Sequence, residues 1–146
     1  MKRSFILLVA VIAAGVVAAV GSARATPRSG ALHLTKECSQ YDGQAGSFCT
    51  ITSSNIPQIK PGMRVVYLQA FGQNGLDSDI VLSRAHGSAA FGHVVLNGTT
   101  SRVTVSGGTG AFAGFQADAD VSVDAAGVWH WEGTYSFTSH AEHEDD

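Results

Sequence analysis

Two stretches near the end of the chain, ADADVSVD at residues 117–124 and VWHWEGTYSF at residues 128–137, alternate between two kinds of side chain. In the first, small apolar residues alternate with Asp and Ser, and in the second, aromatic residues alternate with polar ones. Successive side chains of a β-strand point to opposite faces, so this period of two is typical of strands with one buried and one solvated face. The sequence therefore predicts two half-buried strands here.

The preceding part of the chain shows the same organisation. Six further candidate strands precede these two, which makes eight. The six lie at residues 31–35, 48–53, 63–71, 79–83, 89–96 and 101–106, and the last two at 117–124 and 128–138. Turn residues separate them, and Asn97-Gly98 is the strongest hairpin signal. No window sustains an apolar stripe of helical period. The pattern predicts an all-β antiparallel domain, either a sandwich or a barrel.

The N-terminus carries a targeting pattern. Lys2 and Arg3 precede an apolar run at residues 5–20, and Ala23-Arg24-Ala25 follows with small residues. This arrangement predicts a signal peptide at 1–25 that is cleaved after Ala25. A retained anchor is the alternative, but the run is shorter than the ~20 residues that span a bilayer. We therefore expect a secreted or periplasmic protein, with one domain at 26–138 and a disordered acidic tail at 139–146.

The net charge limits the classes of partner. The 146-residue chain has 9 basic and 12 acidic residues, giving a formal charge of −3. Cleavage would remove Lys2, Arg3 and Arg24 and no acidic residue, so the mature chain would carry −6. An acidic protein is not expected to bind nucleic acid or, after cleavage, anionic membranes. A small neutral ligand is compatible with this charge.

The two cysteines, Cys38 and Cys49, both lie in the mature part of the chain. In an oxidising compartment such a pair predicts one disulfide. A metal site would need further ligands at suitable spacing, and a catalytic Cys–His pair has no local signature here. The disulfide is the favoured interpretation.

The aromatic stripe is the main candidate for a binding site. It consists of Trp129, Trp131, Tyr135 and Phe137. It could be ordinary core, since aromatic side chains dominate cores. It could instead line an apolar pocket, with Tyr67 and Gln69 from another strand as polar contacts. If it faced outward, it would form a subunit interface.

Other polar or glycine-rich motifs lack the context that their chemistry needs. The glycines at 108–114 resemble a dinucleotide loop, but a strand pattern follows them instead of a helix. The acidic residues at 118–124 lack the Gly and Glu of a calcium loop. His130 and Glu132 share a strand face and are more simply a solvent-facing polar pair, and His140 and His143 in the tail would give only a weak metal site. We therefore expect no cofactor and no metal site.

Residues 105–114, VSGGTGAFAG, resemble the glycine motif of the allene oxide cyclase and dirigent protein barrel superfamily. The runs FQADADV at 115–121 and WEGTYSF at 131–137 are similar to small secreted bacterial members of that group. The resemblance covers the C-terminal half of the chain. It implies an eight-stranded antiparallel barrel with an apolar cavity, often assembled as trimers. Family members cyclise an unstable epoxide or steer the radical coupling of phenols; the resemblance assigns no catalytic residue here.

Three functions remain open from the sequence. The first is a secreted, disulfide-linked barrel that binds a small apolar or aromatic molecule. The second is an isomerase or cyclase of the allene oxide cyclase type that confines a reactive substrate. The third is a packed barrel that acts as a homo-oligomeric interaction protein, a trimer or dimer. Cavity volume separates the third from the others, and a buried ionisable residue with a perturbed pKa would favour the enzyme.

Overall fold

The chain folds into a closed antiparallel barrel of eight strands. The computed structural model describes residues 28–84 and 87–138, so the predicted signal peptide at 1–25, the predicted acidic tail, His140 and His143 lie outside the described residues. The strands are β1 (Ser29–Glu37), β2 (Phe48–Ser54), β3 (Arg64–Tyr67), β4 (Leu76–Ser83), β5 (Ala89–Leu96), β6 (Ser101–Gly108), β7 (Phe115–Val123) and β8 (Trp129–Phe137). Each strand pairs with the next, and β8 closes the barrel on β1. This confirms the all-β, eight-stranded barrel and excludes the sandwich.

Each predicted strand corresponds to one observed strand, with differences at the ends. The largest difference is in β3, which ends at Tyr67 although the apolar pattern continues to Phe71. Beyond Tyr67 one more backbone bond follows, from the Leu68 amide to the Asp79 carbonyl at 2.9 Å, and then the Gln69 amide donates to the Ser78 hydroxyl at 3.1 Å. The strand is shorter than predicted because side-chain bonds take the place of the backbone ladder from Gln69 onwards.

The predicted alternation describes the interior correctly in β8 and, up to Val121, in β7; Val123 at the end of β7 was expected on the buried face but is about half exposed. Ala119 and Val121 are buried on β7 and Trp131 is buried on β8, whereas Asp120 and Glu132 are exposed. The aromatic stripe therefore faces the inside of the barrel and does not form an outer surface. Among the described residues, no helix has the length and apolar character needed to cross a bilayer.

The barrel is plugged at one end. The connection between β6 and β7 contains a short 3-10 helix, Gly110–Phe112, that inserts the fully buried Phe112 ring between the strands. Ile56 and Ile59, in the connection between β2 and β3, are buried at the same end. The glycine motif is thus a tight connection with Phe112 as a plug.

The opposite end of the barrel, here called the mouth, is formed by the β1–β2, β3–β4, β5–β6 and β7–β8 connections. The predicted disulfide between Cys38 and Cys49 is present and joins the end of β1 to the start of β2 at the mouth. The predicted hairpin at Asn97 is also present: its side-chain oxygen accepts from the Thr100 amide at 2.6 Å. These links hold the rim of the mouth in place.

Candidate functional site

A small apolar pocket, here called the mouth pocket, opens at this end of the barrel. Its volume is about 120 Å³. Its lining combines the Cys38–Cys49 disulfide with one lysine, two tyrosines and apolar side chains, among them Lys36, Tyr41, Tyr67, Phe71, Leu96 and Trp129. Phe71 is more than half exposed and marks the rim, whereas Lys36 and Tyr67 are buried at the base. The pocket therefore leads from the surface to a buried amine.

Lys36 reaches the interior because of strand alternation. Leu32 and Leu34 on β1 point into the core, and Lys36 is the next residue on the same face. It is only 2% exposed, next to the end of the strand. Its cross-strand partners are Trp129 on β8 and Ile51 on β2. Lys36 thus occupies a position at which the strand alternation of β1 predicts an apolar residue.

The Lys36 amine lies among aromatic side chains. Its Nζ donates a hydrogen bond to the Tyr67 hydroxyl. Nζ also lies 5.1 Å from the ring centre of Trp131 and 5.8 Å from that of Trp129, distances at which a cation is attracted to the ring face. Within residues 28–84 and 87–138, no Asp or Glu forms an ion pair with it. The Lys36 amine is therefore surrounded by aromatic ring faces and by one phenol hydroxyl.

Burial changes the acid–base properties of the groups at the base of the pocket. Loss of solvation lowers the pKa of Lys36 from its ordinary 10.5 to about 7, because an apolar environment disfavours the charged form. The same effect raises the pKa of Tyr67 and, with a contribution from Asp42, that of Tyr41. Near neutral pH the pocket therefore presents neutral phenols and an amine that is partly uncharged.

Tyr41 supplies another polar group to the pocket lining. It lies in the β1–β2 connection, and its ring meets that of Tyr67 edge-on with the centroids 5.0 Å apart. Its hydroxyl is buried but has no hydrogen-bond partner among the described residues. Leaving a buried hydroxyl unpaired costs about 1–3 kcal/mol. A ligand or a water molecule in the pocket would relieve this cost.

The structure separates the residues that the sequence predicts for a binding site. Trp129 and Tyr67 line the mouth pocket, and Trp131 lies beneath it against the Lys36 amine. Tyr135 and Phe137 are at the plugged end, where Phe137 packs against Phe115 with ring centres 4.9 Å apart.

Gln69 lies outside the pocket altogether. Its side chain is exposed, and its Oε1 accepts from the Asp79 amide at 2.6 Å. Of the predicted residues, only Trp129 and Tyr67 belong to the pocket lining, with Trp131 behind them.

Four residues that line the mouth pocket were not among the predicted site residues: Lys36, Tyr41, Phe71 and Leu96. The signal for Lys36 was present in the alternation of Leu32 and Leu34, but the predicted strand ended at residue 35. Tyr41 and Phe71 lie in connections whose path over the mouth depends on tertiary contacts: the Phe71 amide donates to the Gly43 carbonyl at 2.8 Å. No local pattern identifies that contact.

The other polar groups singled out in the sequence have surface partners. His130 contacts Asp124 at 2.9 Å, and Glu132 pairs with His33, its direct cross-strand neighbour on β1. His130 and Glu132 thus have different partners, although they share a face. These are exposed pairs, which contribute little to stability.

The acidic face of β7 is occupied by a cation from the neighbouring strand. The Arg102 guanidinium lies 2.6 Å from Asp118 and 3.4 Å from Asp120. In the described part of the chain, no group of three or more His, Cys, Asp or Glu side chains is arranged to hold a metal ion.

Comparisons with protein-family models, with curated proteins and with solved structures returned no match for this chain. The similarity to allene oxide cyclase and dirigent barrels therefore stays a prediction, and the site is interpreted from its own residues.

Proposed function

We propose that this protein is a secreted or periplasmic barrel that binds a small aromatic or apolar molecule in the mouth pocket. The observation that carries the proposal is a buried lysine amine, without an acidic partner in the described residues, at the base of an apolar pocket. A buried amine without a charged partner is costly. A ligand whose oxygen accepts a hydrogen bond from Lys36 would offset part of that cost.

The pocket walls favour a flat apolar ligand. Binding sites for small molecules combine apolar and aromatic walls with a few polar groups that fix orientation. Here Trp129 and Leu96 are walls, while the Lys36 amine and the Tyr41 hydroxyl are the polar groups. The volume of about 120 Å³ is close to that of cavities, about 150 Å³, that hold one benzene ring. We therefore expect a ligand with one ring or a short chain and one acceptor oxygen.

Titration with benzyl alcohol tests this binding function. The chain contains two tryptophans, so an amide-correlation NMR spectrum shows two indole N–H signals, and the variant Trp129→Phe assigns them. We expect a saturable shift of the Trp129 signal. Replacing Leu96, in the pocket wall, by Trp should abolish binding, whereas replacing the exposed Leu68 by Trp should not. No shift in the wild type, or equal binding by Leu96→Trp, would contradict the proposal.

Secretion is tested separately. N-terminal sequencing of the protein from the culture medium should begin at Thr26, after the predicted cleavage site. Retention of residues 1–25 on a membrane-associated form would contradict it. The mature charge of −6 supports neutral small molecules over nucleic acids and anionic membranes as partners.

A second candidate is an isomerase or cyclase of the allene oxide cyclase type. The observation that favours it is the pKa of Lys36, lowered to about 7 by burial, because perturbed ionisable groups cluster at active sites. The amine and the Tyr41 hydroxyl would stabilise charge that develops on a substrate oxygen. Catalysis would appear as more than one product molecule per protein, lost in Lys36→Met. Stoichiometric binding alone would favour the binding protein.

The third candidate, a packed homo-oligomeric interaction barrel, is less well supported because the mouth is not filled by side chains. Native mass spectrometry of the mature protein tests it. A discrete dimer or trimer without any co-purifying small molecule, together with a negative benzyl alcohol titration, would favour it over binding.

A further inference from the structure

We propose that the Lys36 amine condenses reversibly with the carbonyl carbon of a small aromatic aldehyde bound in the mouth pocket. The inference rests on the proposed binding function and adds the chemical class of the ligand. It assigns Lys36 a covalent role in place of a purely electrostatic one.

The geometry supports nucleophilic use of this amine. Lys36 is a lining residue of the pocket although its side chain is almost entirely buried, and its Nζ lies against Tyr67 and Trp129, which line the pocket as well. Within the described ranges no carboxylate neutralises it, and a lysine paired with a carboxylate would be held as an unreactive cation. Lysines in apolar surroundings are the ones that form imines with carbonyl compounds. Burial also lowers the pKa of Lys36 to about 7.

The walls favour an aromatic aldehyde over other carbonyl compounds. Trp129, Tyr41 and Phe71 present aromatic side chains to a volume close to that of a single ring. The titratable groups of the described chain that line the pocket with Lys36 are the phenols of Tyr41 and Tyr67. Both are neutral near pH 7, since the ordinary pKa of 10.0 already lies well above that pH and burial raises it further. Neither can form an ion pair that keeps the amine protonated.

The chemistry balances without a further reactant. The Nζ lone pair forms the C–N bond, the carbonyl π electrons move to oxygen, and the nitrogen loses a proton while that oxygen gains one. The resulting carbinolamine loses its hydroxyl group and the second Nζ proton as water, which leaves the C=N bond. The Tyr67 hydroxyl already shares a hydrogen bond with Nζ and is placed to pass these protons. Nothing is oxidised or reduced until a reductant is added.

Reductive trapping tests the proposal. The folded mature protein is incubated at pH 7 with benzaldehyde and sodium cyanoborohydride, which delivers hydride to the imine carbon and fixes a benzyl group on nitrogen. Outside the signal peptide the chain has two lysines, Lys36 and Lys60, and Lys60 is exposed in the β2–β3 connection at the plugged end. A peptide map then compares the two labelling rates in one wild-type sample, independently of whether any variant folds.

We expect Lys36 to be labelled at least tenfold faster than Lys60. At pH 7 an amine with a pKa of about 7 is half uncharged, whereas a lysine in water is uncharged in roughly 1 molecule in 2,500. Benzyl alcohol, which occupies the pocket but has no carbonyl group, should slow labelling of Lys36 and leave that of Lys60 unchanged. The variant Lys36→Met should lose the fast phase, and the matched variant Lys60→Met should keep it.

The outcomes separate the two proposals. If benzyl alcohol shifts the Trp129 signal but Lys36 is labelled no faster than Lys60, the imine proposal is wrong and the binding function stands. If benzyl alcohol does not bind and Lys36 is not labelled, both are wrong. Fast labelling of Lys36 that benzyl alcohol does not slow would also overturn the imine proposal, because the reaction would then occur outside the pocket.

Discussion

The Lys36 amine donates a hydrogen bond to the Tyr67 hydroxyl across the interior of the barrel, from β1 to β3. These two strands are not neighbours in the sheet, because β2 lies between them. The contact is therefore made through the barrel interior and depends on both side chains pointing inward at the same depth. It brings two buried polar groups of the mouth pocket lining into direct contact.

The Lys36 amine makes stability depend on pH. Its pKa is about 7 in the folded protein and near 10.5 when exposed. Below pH 7 Lys36 is protonated in both states and the burial cost is fully present. Between pH 7 and 10.5 the folded state has lost this proton while the unfolded state still holds it, so rising pH favours the folded state and relieves the cost. We expect wild-type stability relative to Lys36→Met to rise by about 1.4 kcal/mol per pH unit.

Urea denaturation at several pH values between 7 and 9.5 measures this difference. Comparison with Lys36→Met cancels the contributions of other titrating groups, such as His93, which the two proteins share. If the unfolding free energy of the wild type relative to that of Lys36→Met stays constant or falls as the pH rises, Lys36 is not a buried amine of lowered pKa.

The hydrogen bond between Lys36 and Tyr67 predicts coupling between the two side chains. Replacing Tyr67 by Phe leaves the buried amine without its acceptor, which should cost about 1–3 kcal/mol of folding free energy. In the Lys36→Met background the same replacement should cost less, because no buried donor remains. A double-mutant cycle of unfolding free energies measures the coupling. Equal costs in the two backgrounds would mean that the bond contributes nothing.

The disulfide stabilises the mouth. Cys38 and Cys49 enclose a short loop, and the chain-entropy model gives about 3 kcal/mol for a loop of roughly 12 residues. The double variant Cys38→Ser/Cys49→Ser should therefore unfold at lower urea concentration, as should the wild type after reduction. Thermal melting curves that coincide under reducing and oxidising conditions would contradict this. Because both cysteines line the pocket, benzyl alcohol binding should weaken in the double variant as well.

Replacement by Ala should affect stability differently at two glycines, one inside the glycine motif and one outside it. Gly110 has φ +57°, and a Cβ there would lie 2.4 Å from the Ser88 hydroxyl oxygen. Left-handed backbone costs a residue with a side chain about 1–2 kcal/mol, so Gly110→Ala should destabilise by at least that amount. Gly98, in an exposed turn with open space around it, is the matched control and should tolerate Ala. Equal melting temperatures for both variants would show that Gly110 is an ordinary loop position.

Local patterns were sufficient to predict the strands but not how they close. The alternation in β7 and β8 predicts which side chains face inward, because that period reflects backbone geometry alone. The pairing of β1 with β8, residues about 100 positions apart, places Lys36 opposite Trp129 and Leu34 opposite Trp131. Sandwich and barrel share the same local alternation, so only this long-range pairing decides between them.

The candidate site was predicted in part. Tyr67 and Trp129 could be chosen because they continue inward-facing patterns, and both line the pocket. Gln69 shares the parity of Tyr67, yet it leaves the interior because β3 ends and its side chain bonds to the Asp79 backbone. Lys36 was not predicted, because the candidate strand ended at residue 35. Its burial depends on Tyr67, Trp129 and Trp131, which only the closed barrel assembles around it.

NMR titration of the lysine side chains tests most directly whether Lys36 is a buried amine that a ligand in the mouth pocket contacts. With ¹³C at the lysine ε position, the mature protein gives one signal for Lys36 and one for Lys60, which serves as the exposed reference. We predict that Lys36 titrates with a midpoint near 7 and that benzyl alcohol shifts its signal but not that of Lys60. A Lys36 midpoint near the aqueous value of about 10.4, together with no response to benzyl alcohol, would contradict it.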